Sequence, residues 1–149
     1  MQNPQTHFPL RVDYGRTIES LVAAGKYDWF HIDISSELFA TERKGLAEAT
    51  IELLHFETRK PTEEVLQAIT SHGLRPADIV EILTFGATYP EEQRKYPIVA
   101  RGALWIGTCG GHFVPCLRTG SKGRYVDLYW FGGMWDTYYR FAVLRDTQT

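Results

Sequence analysis

Hydrophobic residues recur along this chain with two different periods, and the change from one to the other divides it. From Thr17 to Ala24 (TIESLVAA), Ile18, Leu21 and Val22 share one helical face, and Gly25 stops the run. Residues 1–13, with Pro4 and Pro9 and little periodicity, read as a mobile or loosely docked arm. Tyr27 to Phe39 scatters Trp29, Phe30, Ile32, Ile34, Leu38 and Phe39 among polar residues, and only Ile32 and Ile34 alternate as a strand would. Thr41 to Gly45 reads as a charged turn.

From Ala49 the pattern sharpens. Thr50 to Phe56 (TIELLHF) predicts a strand. After Pro61, Thr62, Glu63 and Glu64 open a helix with carboxylates at its positive end; Val65, Leu66 and Ile69 form its buried stripe and Gly73 ends it. A second helix is expected at once, with Pro76 in its first turn, Asp78 acidic there, Ile79, Ile82 and Leu83 at helical spacing, and Gly86 as the stop. Tyr89 to Tyr96 (YPEEQRKY) leaves room for one helical turn between Pro90 and Pro97.

The remainder is strand-like. Ile98 to Ile106 predicts a strand, Gly110-Gly111 a turn, and Phe113 to Leu117 the return. Thr119 to Gly123 is a polar turn. Arg124 to Phe131 then alternates: Val126, Leu128 and Trp130 are expected inward, and Tyr125, Asp127 and Tyr129 toward water. Gly132-Gly133 turns the chain into a last strand, Tyr138 to Leu144. The expectation is an α+β domain, two helices packed on a twisted antiparallel sheet, over residues 49–149. Residues 1–48 would form an N-terminal helical extension packed on it.

Composition narrows the function classes. A chain of 149 residues with 44% hydrophobic and 13% aromatic content can build one core. The net charge is −2 with both signs interspersed, so no basic excess exists to neutralise a phosphate backbone, which argues against nucleic acid. No apolar run approaches a membrane span, so membrane insertion is not expected. Met1 to Leu10 is polar and lacks the apolar stretch of a signal peptide, which leaves the cytoplasm as the default location.

The reactive residues are few. Cys109 and Cys116 flank Gly110-Gly111; a two-residue hairpin there would place Cys109 opposite His112 and Cys116 opposite Trp105, too far apart for a disulfide. Cys109, His112 and Cys116 could be read as zinc ligands, but there is no Cys-x-x-Cys pair and no fourth ligand, so the expectation is no metal and no cofactor. Cys109 and His112 could also form a thiol–imidazole pair, although no third group orients the ring. Glu63-Glu64 and Glu91-Glu92 read as solvated helix starts, and Gly107 to Gly111 lacks the lysine of a phosphate loop. Arg140 is expected to pair with Asp127 or Asp136 across the sheet.

The segment Tyr125 to Tyr139 concentrates Tyr125, Tyr129, Trp130, Phe131, Trp135, Tyr138 and Tyr139 around Gly132-Gly133. Rigid amphipathic rings beside small residues are the composition of binding loops. The competing reading buries the same rings under the N-terminal residues as ordinary core.

The order of elements, the stretch Ala68 to Leu83 (AITSHGLRPADIVEIL), the strand Ala103 to Thr108 (ALWIGT) and the ending Tyr139 to Arg145 (YRFAVLR) resemble the C-type lectin-like fold in its compact form. The resemblance covers roughly residues 50–146 and implies that the last strand pairs with the first strand of the domain. The chain is also similar to uncharacterised small bacterial proteins that share Tyr129-Trp130-Phe131-Gly132-Gly133 and the ending Arg140-Phe141. Within the fold, the variable proteins of diversity-generating retroelements display changeable side chains near the C-terminus. Carried over, that resemblance makes Leu128, Trp130, Trp135, Arg140 and Phe141 the scaffold. It makes Tyr129, Phe131, Met134, Asp136, Thr137 and Tyr138 the ligand-binding display, for an unknown protein or glycan partner. The Glu-Pro-Asn and Trp-Asn-Asp calcium sets of sugar-binding lectins are missing, with only Trp135-Asp136-Thr137 present, and the cysteines do not match the pair of the formylglycine-generating enzymes. Three readings stay open: a non-enzymatic recognition module on the last two strands and their turn, a small enzyme using Cys109 and His112, and a structural subunit of a larger assembly.

Overall fold

The computed structural model describes residues 7–102, 105–106 and 112–145. In chain order the elements are β1 (His7–Asp13), α1 (Ile18–Gly25), β2 (Trp29–Phe30), β3 (Leu46–Leu54), β4 (Lys60–Pro61), α2 (Thr62–Ser71), β5 (Leu74–Pro76), α3 (Ile79–Thr88), α4 (Glu92–Lys95), β6 (Ile98–Val99), β7 (Trp105–Ile106), β8 (His112–Gly120), β9 (Gly123–Trp130), β10 (Met134–Trp135) and β11 (Arg140–Arg145). The main sheet runs β1-β3-β11-β6-β8-β9-β2, with β5 beside β11, β7 beside β8, and a separate small ladder of β10 with β4. The fold is α+β.

β11 holds the middle of this sheet and shows why the chain closes as it does. Phe141 and Val143 point into one core with Val65, Ile69, Val99, Val114 and Trp135; Ala142 and Leu144 point into the other with Phe8, Ile79, Ile82, Phe85 and Val126. A strand buried on both faces reads as a continuous apolar run rather than an alternating one. Each fully buried large aliphatic or aromatic side chain here contributes about 1.5–3 kcal/mol. α1 and α3 cover the first core, and α2 covers the second. β11 pairs antiparallel with β3 (Phe141 with Leu54, Val143 with Glu52), which is the last-strand-to-first-strand pairing expected of residues 50–146.

Local signals set the helix ends. The Thr17 hydroxyl accepts from Ser20 N at 3.1 Å, and α1 closes on Lys26 in the left-handed region (φ 52°). Asp78 and Glu81 form a reciprocal capping box on α3. Pro76, expected inside this helix, lies instead in β5 opposite Val143, because β11 offers a ladder edge there. Gly86, expected as the stop, sits inside α3, which continues to Thr88. Its missing side chain leaves space for Tyr27, whose ring also lies against Gly25 and whose hydroxyl donates to Leu83 O at 3.0 Å. Arg124 of β9, 5% exposed, joins the two helices by donating to the carbonyls of Gly25 (2.8 Å) and Gly86 (2.6 Å).

Several expectations are corrected. The N-terminal arm is a full strand from His7: Phe8, Leu10 and Val12 are buried in alternation while His7, Pro9 and Arg11 face out. Pro9 is tolerated because β1 is an edge, and its carbonyl accepts from Tyr89 Oη at 2.6 Å. Ile32 is 83% exposed whereas Ile34 is buried, so the two do not share a strand. β3 begins at Leu46 rather than Thr50. The strand expected over Ile98 to Ile106 is interrupted, so Cys116 lies opposite Val99 and Trp105 opposite Phe113. The last two long strands are no hairpin: β6 and β8 lie between β9 and β11, and Gly132-Gly133 leads into β10 instead. Residues 7–45 supply both sheet edges, β1 and β2, and pack α1 on α3 within the first core.

Candidate functional site

Register places the site. In the β8–β9 ladder Arg118 faces Tyr125, Cys116 faces Asp127 and Val114 faces Tyr129, so these six side chains share one face of the sheet. At its far end that face is core: Phe131 is 4% exposed, with its ring 5.2 Å from Trp135. Its middle is half-buried Tyr129, and toward the β8–β9 turn Arg118 stacks over Tyr125 at 4.7 Å. On the opposite face Val126 and Leu128 meet the first core, but Trp130 stands at the strand end, 59% exposed, with its indole over Gly132 and Gly133. Both ends are therefore corrected. Phe131 does not reach solvent as a display residue would, because α2 and Trp135 cover it. Trp130 is not a buried scaffold residue, because β9 outruns the cover on its side.

Where this face opens, α4 and the turn before β11 border an open cavity of about 240 Å³. Tyr129, Tyr138 and Tyr139 form one wall, Tyr96 and Pro97 another, and Gln93, Arg94, Lys95, Arg118 and Thr119 the remainder. The rings pack on one another, two of the pairs edge to face. Tyr139 lies 6.1 Å from Tyr129 at 82°, 4.7 Å from Tyr138 at 32°, and 4.9 Å from Trp135 at 90°. Trp135 is in turn fixed by its indole N–H, which donates to Thr62 Oγ1 at 3.0 Å.

Arg140 shapes the turn. Its Nη1 donates to the carbonyls of Thr137, Tyr138 and Tyr139 at 3.2–3.4 Å, and its guanidinium lies 3.7 Å from the centre of the Tyr96 ring. The expected pairing of Arg140 with an aspartate is not found: Asp127 is held by Arg118 (3.0 and 2.9 Å) and Asp136 by Arg59 (3.0 Å). Gln93, 2% exposed, donates to the carbonyls of Arg118 (2.9 Å) and Tyr125 (3.0 Å), which pins α4 to the sheet. Its Oε1 is buried without a hydrogen-bond partner.

The cations at the cavity are paired. Arg94, Lys95 and Arg118 line the cavity, while their partners Glu91, Glu92 and Asp127 lie outside its lining. Burial raises the Tyr129 phenol to about 12, and burial together with Tyr138 raises Tyr139 further. Both phenols stay protonated across the physiological range and can donate.

Of the six display residues, Tyr129 and Tyr138 meet at this cavity. Met134 is 49% exposed on β10 opposite Pro61, Asp136 is tied to Arg59, and Thr137 is exposed in the turn; none of the three lines the cavity. Sequence reasoning did not single out Tyr96, Arg118 or Gln93 as site residues. The paired tyrosines of YPEEQRKYP, each beside a proline, were the available signal. Cys109 lies outside the described residues. His112 is exposed at the start of β8, opposite Ile106. Cys116 is fully buried, and burial followed by the nearby Asp127 charge pushes its thiol far up, which leaves it a poor nucleophile. Among the described residues no cluster of three or more His, Cys, Asp or Glu could hold a metal, and no helix is long and apolar enough to cross a membrane.

Comparison with known protein families, with curated proteins and with solved structures gives no match.

Proposed function

We propose that this protein is a non-enzymatic recognition module whose binding site is the tyrosine-walled cavity between α4, the β8–β9 face and the turn before β11. The observation that carries this reading is the convergence there of Tyr129, Tyr138, Tyr139 and Tyr96 with Arg94, Lys95 and Arg118 and with no carboxylate in the lining. Such a cavity offers ring faces, phenol donors and the N–H groups of ion-paired Arg94, Lys95 and Arg118, and suits a small polar group of a protein or glycan partner. Tyr138, 53% exposed, would be the first ring a ligand meets. The resemblance to the C-type lectin-like fold, and within it to retroelement variable proteins, supports the same reading through Tyr129 and Tyr138, the two display residues that line the cavity.

The test is a fragment screen by ¹H–¹⁵N NMR on the full chain, comparing wild type with Tyr138→Ala. Fragments that shift the amides around Tyr96, Arg118 and Tyr139 in wild type and lose this effect in the variant support the site. Fragments that cluster elsewhere, or none at all, overturn it.

A further inference from the structure

On that reading of the cavity, we infer that its ligand is a proline-rich, extended segment of another protein, which continues past the cavity along the outer face of β9. What selects it is the set of hydrogen-bonding groups that the fold has already used.

Acceptors around the cavity are mostly taken. Arg140 holds the carbonyls of Thr137, Tyr138 and Tyr139, and Gln93 holds that of Arg118. Glu91, Glu92 and Asp127 are each paired with a cation and lie outside the lining. The Gln93 Oε1 atom is buried. What faces the cavity is therefore ring surface and hydroxyl. The Tyr129 hydroxyl has no hydrogen-bond partner among the described residues, and Tyr138 is half-exposed beside it.

A ligand that buries an N–H or O–H here without an acceptor is penalised. Every sugar hydroxyl and every ordinary peptide unit brings such a donor. Proline brings none: it offers a carbonyl acceptor for a phenol and an apolar ring to lie on an aromatic face.

The surface beyond the cavity continues the same chemistry. Trp29, Tyr125 and Arg118 are register partners across β2, β9 and β8, so they stand in one row. The Arg118 guanidinium lies 4.7 Å from the Tyr125 ring centre, and that ring lies 5.3 Å from Trp29, which is partly exposed at the sheet edge. Tyr129 and Tyr125 share one face of β9 four residues apart, about 13 Å at strand spacing. A polyproline II helix rises about 3.1 Å per residue, so about eight prolines cover both tyrosines and reach Trp29. Aromatic rows of this kind recognise that helix because it is already stiff before it binds.

The experiment titrates the ¹⁵N-labelled full chain with octaproline, triproline, an octamer of alternating Gly and Ser, and maltotetraose. Octaproline is expected to shift the amides of Tyr96, Arg118 and Tyr139 together with those of Tyr125 and Trp29, whereas triproline should shift only the first set. It should bind about tenfold or more tightly than the Gly-Ser octamer or maltotetraose. Tyr129→Phe keeps the ring and removes only the hydroxyl; it should weaken octaproline about two- to tenfold, the value of one hydrogen bond, with Tm unchanged. Trp29→Ala should abolish the gain of octaproline over triproline. Absence of a response to octaproline, equal binding of the Gly-Ser octamer, or full octaproline affinity in Tyr129→Phe overturns the inference. So does tighter binding of maltotetraose, which would make the partner a glycan. If octaproline fails while fragments still bind at the cavity, the inference falls and the binding site stands.

Discussion

Tyr14 donates its hydroxyl to Glu81 Oε2 at 2.6 Å, across 67 residues of sequence, and so ties the end of the first strand to the start of α3. Glu81 is fully buried, and its other partners are Arg75 (2.9 and 2.7 Å) and the backbone N–H of Asp78 (2.9 Å). Arg43 approaches at 3.8 Å and Thr41 caps Asp78 at 2.7 Å, so the loop before β3 enters the same network. A buried carboxylate with this many donors fixes geometry more than it adds net stability.

Removing one donor should therefore cost less than removing the charge. Tyr14→Phe is expected to lower stability by about 1–3 kcal/mol, and Glu81→Gln, which leaves Arg75 without its anion, by about 3–5 kcal/mol. Urea unfolding of both variants checks the order; equal effects would contradict it.

The same network has a pH signature. Burial pushes Glu81 up, but the Arg75 and Tyr14 hydrogen bonds outweigh it and hold the carboxyl below its ordinary 4.5. A depressed folded-state value gives stability that is present above the unfolded value and lost as pH falls through the folded one. Asp78 is raised above 3.8, by burial and then by Glu81, and works in the opposite sense: it favours the fold more as pH falls. Wild type minus Glu81→Gln reports the glutamate together with the part of the Asp78 shift that it causes: the advantage in Tm should be full at neutral pH and shrink on acidification below about 4.5. An advantage that grows on acidification would refute the assignment.

Gly86→Ala should invert the usual rule for helix interiors. Alanine normally stabilises a helix over glycine by about 1 kcal/mol. Here a Cβ would fall on the Tyr27 hydroxyl, so the substitution is expected to destabilise by about 1–3 kcal/mol. Gly86→Ala in a Tyr27→Phe background should recover part of that loss. Chemical denaturation of the single and double variants provides the comparison.

Phe131 and Tyr138, close in sequence, should separate cleanly. Phe131→Ala empties a buried site beside Trp135 and is expected to cost about 3–5 kcal/mol. Tyr138→Ala removes a half-exposed ring and should cost under about 1 kcal/mol while abolishing fragment binding at the cavity. Comparable stability losses would place Tyr138 in the core.

Cys116 should resist alkylation in the folded protein and react on unfolding, because its thiol is fully buried and pushed away from the thiolate. Peptide mapping after iodoacetamide treatment, with and without guanidinium, measures this. Rapid native labelling of Cys116 would show that the hairpin opens.

Read from the residues alone, the chain already discloses most of its elements. α1, α2, α4 and β9 lie where periodicity, caps and turns put them, because those signals are local, whereas β8 runs on to Gly120 through part of the expected polar turn. The β1 alternation of Phe8, Leu10 and Val12 was equally present, masked by Pro9 until the edge position excused it. Three features belong to tertiary structure. β11 enters between β3 and β6 because its apolar run needs cover on both faces, and nothing in a strand's own sequence names its neighbours. Phe131 is buried and Trp130 exposed because of what packs beyond the end of β9, which overturns the expectation for these two residues while Val126 and Leu128 stay inward. The cavity draws Tyr96, Arg118 and Tyr139 from segments far apart in the chain, and only the closed sheet makes them adjacent. Alternation fixes which side chains share a face; which face meets water depends on what else packs against it.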